Sequence, residues 1–497
     1  MKRLFLFILI FITIKSASAS IADSALVEHT SLENLMLQES LRNPALHGIF
    51  YQRAFSQLVL GIDLQRQSTA FIPEKGNGYT LPYLKVSTYH HLNDHSTVWG
   101  EASYTTGKQY DIQWNSTSDY DLLQPYILAD TMGGDIRHER YWISGGYATH
   151  LGKWLLGGEM LVRAQQEYRG NDPRMRGVVT DLTLRLGGGY DMGHYRLGAM
   201  VEGNIYKQTN SVAFYREEGV IPEYQMTGLG TEYSRFSGDK RSLYYDGNGI
   251  AIMLHAAPVR NNGVYADATL DEHRYHRKLA EFNSMPLTDL YNEHIGATIG
   301  WKQDNGYRLN TSAHLDYTRH TGNEHVGGTS DARYFPVIAC LTMYKSHVLD
   351  GYLRALYGKQ NWNLILTAGY KSQNEEYIYP HRQMESSHAY GKLQGQCFLR
   401  TADRMLLTVN AHVSYAGNVN DRMQMPYANM GEGITQLMNH KHKFAKANYT
   451  DLGAKVRADY AWKQSGYGIF VEAGGGLTLS STNEHQTVFQ SAIGITF

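Results

Sequence analysis

Apolar and polar residues alternate with a period of two over long stretches of this 497-residue chain, and few folds tolerate that pattern at such length. Leu452, Ala454, Val456, Ala458, Tyr460 and Trp462 form one continuous apolar set, while Asp451, Lys455, Arg457, Asp459 and Lys463 interleave with it. Side chains of an extended strand point alternately to opposite faces, whereas a helix repeats every 3.6 residues, so no helix fits this run. Leu309 to Tyr317, Leu407 to Tyr415 and Leu182 to Leu186 repeat the pattern, and Met160 and Val162 stand opposite Glu159, Arg163 and Gln165. The alternating runs last about 9 to 14 residues, against ~5 to 6 for strands of a soluble sandwich and ~9 to 11 for strands that cross a bilayer at a tilt. The predicted class is all-β: a closed antiparallel transmembrane β-barrel, apolar towards lipid and wet inside.

The ends of the chain agree. Thr487, Phe489, Ser491, Ile493, Ile495 and Phe497 fall on one strand face, and a last strand must pair with the first to leave no open edge in lipid. This aromatic ending resembles the C-terminal signal by which bacterial outer-membrane barrels are recognised for assembly. At the other end Lys2 and Arg3 precede an apolar run from Leu4 to Ile14, followed by Ala17-Ser18-Ala19. The run is too short to span a bilayer and has the form of a secretory signal, so residues 1–19 are expected to be removed. No Cys follows the cleavage site, which argues against a lipoprotein.

Composition narrows the partners. A net charge of −1 without a basic stripe excludes the electrostatic footprint of a nucleic-acid binder. Cys340 and Cys397 do not make a disulfide framework. The 37 Tyr suit the two water–lipid boundaries, where the ring sits in the apolar zone and the hydroxyl stays wet.

Short turns are expected near Leu92-Asn93-Asp94, Leu151-Gly152-Lys153, Asp191-Met192-Gly193, Arg260 to Gly263, Gln303 to Gly306, Lys359-Gln360-Asn361, Thr401-Ala402-Asp403 and Gln464-Ser465-Gly466. Longer polar segments lie between them, at Asp111 to Ile136, Thr209 to Asp246, Leu279 to Asp289, Thr321 to Phe335 and Asn420 to Asn448. Short periplasmic turns alternating with long outer loops give roughly 18 strands over residues 52–497, or 16 if the ambiguous stretch Tyr334 to Val348 is left out. Residues 20–51 do not alternate; Leu32, Leu35, Met36 and Leu41 have roughly helical spacing, and Asn43-Pro44-Ala45 ends the pattern. The reading is a short, partly helical N-terminal hatch or a periplasmic lead-in.

Inward-facing candidates for lining the lumen are Glu159, Arg163, Asp181, Arg185, Glu202, Asp316, Lys455, Arg457, Asp459 and Glu472. Mixed signs favour pairing along the wall over ion selectivity. The segment Asp421 to Lys443 carries Met423, Met425, Met430 and Met438 followed by His440 and His442, residue types that suit copper or a haem iron, or that pack a loop into a barrel mouth. His314 with Asp316 and His412 with Ser414 have the residue types of a rim hydrolase, yet a catalytic arrangement is recognised by geometry, and such pairs arise by chance on a polar lumen wall. No catalytic residue and no cofactor is assigned.

The Asn43-Pro44-Ala45 segment ahead of the first strand resembles the hatch of the long-chain fatty-acid transporter family. Taken with the export signal and aromatic C-terminus, the chain resembles an uncharacterised family of outer-membrane barrels from Bacteroidota. That resemblance implies an accessory role beside TonB-dependent uptake systems, and the chain has no large plug domain of its own. The expected function is a passive channel or accessory barrel for a small nutrient, metal or haem in a Gram-negative outer membrane. The alternatives are a surface scaffold partnering a TonB-dependent receptor or lipoprotein, and a rim hydrolase. Lipid, lipopolysaccharide and the barrel assembly machinery are the other expected partners.

Overall fold

The computed structural model describes residues 25–40, 42–215, 223–233, 242–260, 262–280, 284–329, 336–402, 404–428, 433–462 and 467–497. The export signal expected over residues 1–19, the turn at Gln464 to Gly466, Leu41 and Met430 lie outside them.

Eighteen strands form one antiparallel sheet that closes on itself. The first strand, Phe55–Gln67, pairs on one side with Gly78–Asn93 and on the other with the last, His485–Thr496, in a register that sets Gln57 against Thr496 and Asp63 against Gln490. Closure satisfies the backbone of both end strands, which a bilayer requires. The count matches the larger of the two expectations, because Val337–Lys359 is one continuous strand.

Alternation sorts the side chains as the sequence implied. In the last strand Phe489, Ile493 and Ile495 are exposed outward while Ala492 is buried against Val59 and Phe470. Leu186, Leu315, Leu353 and Val456 likewise show their side chains to the outside. Trp154, Tyr195, Trp301, Tyr307, Tyr357, Trp462 and Tyr467 are exposed next to the short turns, where they mark one aromatic girdle. Tyr291 lies on the same strand and face as Trp301, ten residues away. At ~3.3 Å per residue and a tilt near ~40°, that separation spans about 25 Å, the height of an outer-membrane hydrophobic band. The molecule is an outer-membrane β-barrel.

Several segments expected as loops are strand. Residues Leu279 to Asp289 hold only a brief connection between Gly263–Leu279 and Met285–Asp304, and Arg308–Gly327 continues well into the stretch expected to be a loop from Thr321. Beyond the bilayer both faces of a strand are wet, so apolar alternation stops although the hydrogen-bonded ladder continues. Among the described residues, five α-helices accompany the barrel: α1 (Ala25–Thr30), α2 (Leu32–Ser40), α3 (Pro44–His47), α4 (Tyr120–Leu123) and α5 (Gly433–Ala445). The last replaces part of the expected Asn420 to Asn448 loop.

Candidate lumen site

The N-terminal segment crosses the barrel near its short-turn end. Asn43 caps α3 by accepting from the Ala45 amide at 2.9 Å, and its Nδ2 donates to the carbonyls of Gly188 (3.0 Å) and Ala199 (2.9 Å) on the wall. Pro44 opens the helix where a missing N–H costs nothing. The wall beneath is built of glycines for a reason: a Cβ at Gly157 would lie 2.5 Å from the Ala45 nitrogen, and one at Gly198 would lie 2.9 Å from Leu46 Cδ1. Leu46 and Ala45 pack on Leu155. At the far end Leu32 and Met36 of α2 pack on Leu356 and Ile365, Val27 of α1 packs on Phe398, and Gln396 bonds both the Leu32 amide (2.9 Å) and the Thr30 carbonyl (2.8 Å). Glu33 pairs with Arg308 at 2.8 Å. Several strands separate these two anchor regions in either direction around the wall, so the segment spans the lumen.

Five of the ten lumen candidates join in two linked groups on the strands Trp154–Arg169, Arg174–Asp191 and Tyr195–Ala213. Arg185 bridges Glu159 (2.9 Å) and Glu202 (2.6 Å); Glu159 also accepts from Trp99, and Glu202 holds Arg42 of the N-terminal segment at 3.1 Å. Arg163 makes a bidentate pair with Asp119 (2.7 and 2.8 Å) and reaches Asp181 at 3.1 Å. Asp119 precedes α4 in an outer loop, so the two groups tie the wall to the segment below and to a loop above. Across the lumen Lys455 pairs with Glu472 (3.0 Å), and Arg457 grips Asp459 (2.8 Å) while lying 3.6 Å over the Phe470 ring. Asp316 faces His294 at 3.3 Å, and Asp271 holds the other ring nitrogen.

The outer half of the lumen is filled from above. Strands Leu128–Asp130, Glu223–Gly228 and Thr231–Glu232 form a small separate sheet. With it, Leu123 and Tyr126 join a buried cluster that includes Met175, Tyr206, Tyr245, Tyr344, Tyr377 and Met384 from the barrel wall. Arg277, 1 % exposed, donates to the carbonyls of Met226 (3.0 Å) and Ile127 (3.1 Å). Arg169 and Asp130 form an ion pair of 2.8 Å whose side chains are 1 % and 0 % exposed. Helix α5 closes the other side: Lys441 reaches Glu74 (3.2 Å) and the Tyr120 hydroxyl (3.1 Å). Burial disfavours the Lys441 ammonium, but Glu74 and Tyr120 outweigh it and hold its pKa well above the usual lysine range.

The methionine and histidine candidates are spread through this cover. Met423 lies in the strand Met405–Gln424, Met425 packs on the apolar cluster, and Met438 is buried against Gly230. His440 contacts the Ala70 carbonyl at 2.7 Å, whereas His442 faces Asp421 at 3.4 Å, as expected for residues two apart on a helix, which do not share a face. Among the described residues, no group of three or more His, Cys, Asp or Glu is placed to hold a metal ion. His314 bonds Ser312 and Thr298 and stacks on Tyr352, and His412 bonds Asp451 at 2.7 Å.

Above the lower segment lies a cavity of about 590 Å³, with Leu32 and Met36 as its floor and the strands Val337–Lys359, Trp362–Tyr377, Arg382–Ala402, Met405–Gln424 and Tyr449–Ala461 at the side. Its polar lining is Tyr352, Arg354, Thr367, Tyr390, Lys392, Gln394, Ser414, Tyr415 and Tyr449. Of these, sequence reading singled out Ser414, as a rim-hydrolase candidate, and Tyr415, in an alternating run; it did not bring the set together, because the strand register that assembles it joins positions far apart in the chain.

Solved structures similar to the chain include a ferric enterobactin receptor (PfeA) mutant from Pseudomonas aeruginosa, at 8 % identity and a TM-score of 0.39, covering 89 % of this chain and 80 % of that one. Others are BauA, the ferric preacinetobactin receptor of Acinetobacter baumannii (8 %, 0.45, covering 90 % and 80 %), and the copper transporter OprC (10 %, 0.41, covering 86 % and 62 %). No curated protein matches the chain significantly. From Pro44, inside the segment seated on the glycine wall, to the aromatic C-terminus, residues 44–497 match a family of unknown function, and the chain belongs to that family, DUF6850.

Proposed function

We propose that this protein is a gated outer-membrane uptake barrel, non-enzymatic, which holds a small solute in a chamber closed on both sides. The observation that carries the reading is the N-terminal segment spanning the lumen from the Asn43 seat to Gln396 and Arg308. It acts as a hatch: among the described residues its contacts are a few hydrogen bonds, two ion pairs and small apolar patches, a set that can be broken without unfolding the wall. Passage needs that hatch to leave its seat and the outer cover to part, so free diffusion through a standing pore is not the mechanism. Lipid and lipopolysaccharide surround the apolar belt, the barrel assembly machinery inserts the chain through its aromatic last strand, and a TonB-dependent receptor or surface lipoprotein is the natural source of a captured solute.

Planar-bilayer recording tests this. The intact barrel should carry no steady current, and a variant lacking both residues 20–47 and residues 433–445 should carry one. A steady open-pore current from the intact protein, or silence from the folded double deletion, would overturn the reading.

A further inference from the structure

We propose that the chamber is a binding site for a small organic anion carrying a flat ring, an inference that rests on the two-sided closure above and names what the closure holds. Strand register builds the site. Arg354 stands directly opposite Thr367, Thr367 opposite Lys392, and Lys392 opposite Ser414, so one rung of the wall carries two cations separated by a hydroxyl residue. Adjacent strands lie ~4.8 Å apart, which places the two cationic stems about 10 Å from each other, with room for a carboxylate or phosphate between their ends. The neighbouring rung, two residues along every strand, is Tyr352, Gly369, Tyr390, Ala416 and Tyr449. Gly369 is required there, since a Cβ would meet the Tyr390 ring at 2.6 Å and the Tyr352 Cβ at 2.7 Å; the Tyr390 ring leans over it, and the Tyr352 ring stacks on His314.

The rungs therefore offer an aromatic surface beside a cationic one, and Leu32, Met36 and Ile365 supply an apolar floor. Among the described residues, no carboxylate lines the cavity. The nearest acids stand outside the lining: Asp451 continues the cation rung opposite Ser414 and accepts from His412 and Thr478, Asp350 accepts from the Tyr390 hydroxyl at 2.7 Å, and Glu33 is paired with Arg308. The charge on the lining itself is carried by Arg354 and Lys392, and a guanidinium fork matches a carboxylate or phosphate in a bidentate fashion. A volume of about 590 Å³ falls within the range of small-molecule sites. Because the hatch contributes Leu32 and Met36 to the floor, the ligand touches the element whose departure would release it.

The test is an equilibrium titration of the full-length barrel in detergent, followed by ¹⁹F NMR with 4-(trifluoromethyl)benzoate. Benzyltrimethylammonium serves as a ring of opposite charge and inorganic phosphate as an anion without a ring. The benzoate should bind more tightly than phosphate, and the ammonium should not compete. Arg354→Gln and Lys392→Gln should each weaken benzoate binding roughly tenfold, as expected for loss of a charge-assisted hydrogen bond, and Lys392→Arg should retain it. Heat-modifiable migration on gels checks that each variant is folded. Absent benzoate binding, equal competition by the ammonium, or unchanged affinity in both Gln variants would overturn the assignment. None of these outcomes alters the bilayer currents, so failure here is distinguishable from failure of the gated-barrel reading.

Discussion

The two ends of the lumen are closed by different physics. At the outer end, loops fold into the barrel and build a core, with Tyr126, Leu128 and Tyr245 almost wholly buried and with the Arg169–Asp130 pair sealed from water. At the short-turn end a single segment of chain is seated on glycines and held, among the described residues, by the Asn43 amide, two ion pairs and three small buried apolar clusters. A core built with paired, desolvated charges is costly to disrupt, whereas a segment docked by hydrogen bonds is replaceable by water once it lifts. On the proposed reading, the outer closure belongs to the architecture and the lower one is the gate.

Removing one partner of a buried ion pair should strike the outer closure hardest. Asp130→Leu leaves Arg169 uncompensated at a cost of about 3–5 kcal/mol, and thermal unfolding in detergent should fall accordingly; an unchanged midpoint would show that the outer cover is not a core. Next in size, Asn43→Ala removes one amide that makes three hydrogen bonds, worth roughly 2–4 kcal/mol together. That change should raise protease cleavage at Arg42 and Arg53 while leaving the barrel's unfolding midpoint nearly unmoved, since only the docked segment is loosened.

Acid should also loosen the lower closure before the upper. Burial pushes the His47 pKa down to about 4, against the pull of Glu159, so the docked segment holds a neutral ring where the undocked one is protonated below about 6.5. The undocked state then binds more protons, and docking should weaken by up to about 1.4 kcal/mol per unit as pH falls from about 6.5 towards 4. His29, also lowered by burial, acts in the same sense; Glu33, raised by burial, acts in the opposite one. Cleavage at Arg42 measured across this range should rise in the native chain and flatten in His47→Gln. The smallest effect is expected at Lys75–Asp121, an exposed pair on the outer rim, where Asp121→Asn should change stability by less than about 1 kcal/mol.

What the sequence made legible follows from what a bilayer enforces. Outward Phe489 and Ile493, the short turns at Gly152, Gly193 and Asn361, and the inward pairing of Glu159, Arg185 and Glu202 all follow from a period of two set against lipid. Asn43-Pro44-Ala45 stood out as a motif, but its seat did not, because Gly157, Gly187 and Gly198 are distant in the chain and look like ordinary barrel glycines. The inward fold of the outer loops was hidden for the same reason: Asp119 gives no local hint that Arg163 is its partner. Helix α5 was masked by its composition, since Asn439-His440-Lys441-His442 reads as a polar loop until Lys441 is seen against Glu74. The cation and tyrosine rungs needed the register of five strands, which no single stretch of sequence contains.

The central claim is that the chain's own N-terminal segment bars the lumen at the short-turn end. It is tested most directly by the reaction rate of a negatively charged thiol reagent with Ser414→Cys, in a Cys340→Ser, Cys397→Ser background, with and without residues 20–47. The account predicts slow labelling in the intact chain and fast labelling when the segment is absent; equal rates in the two would contradict it.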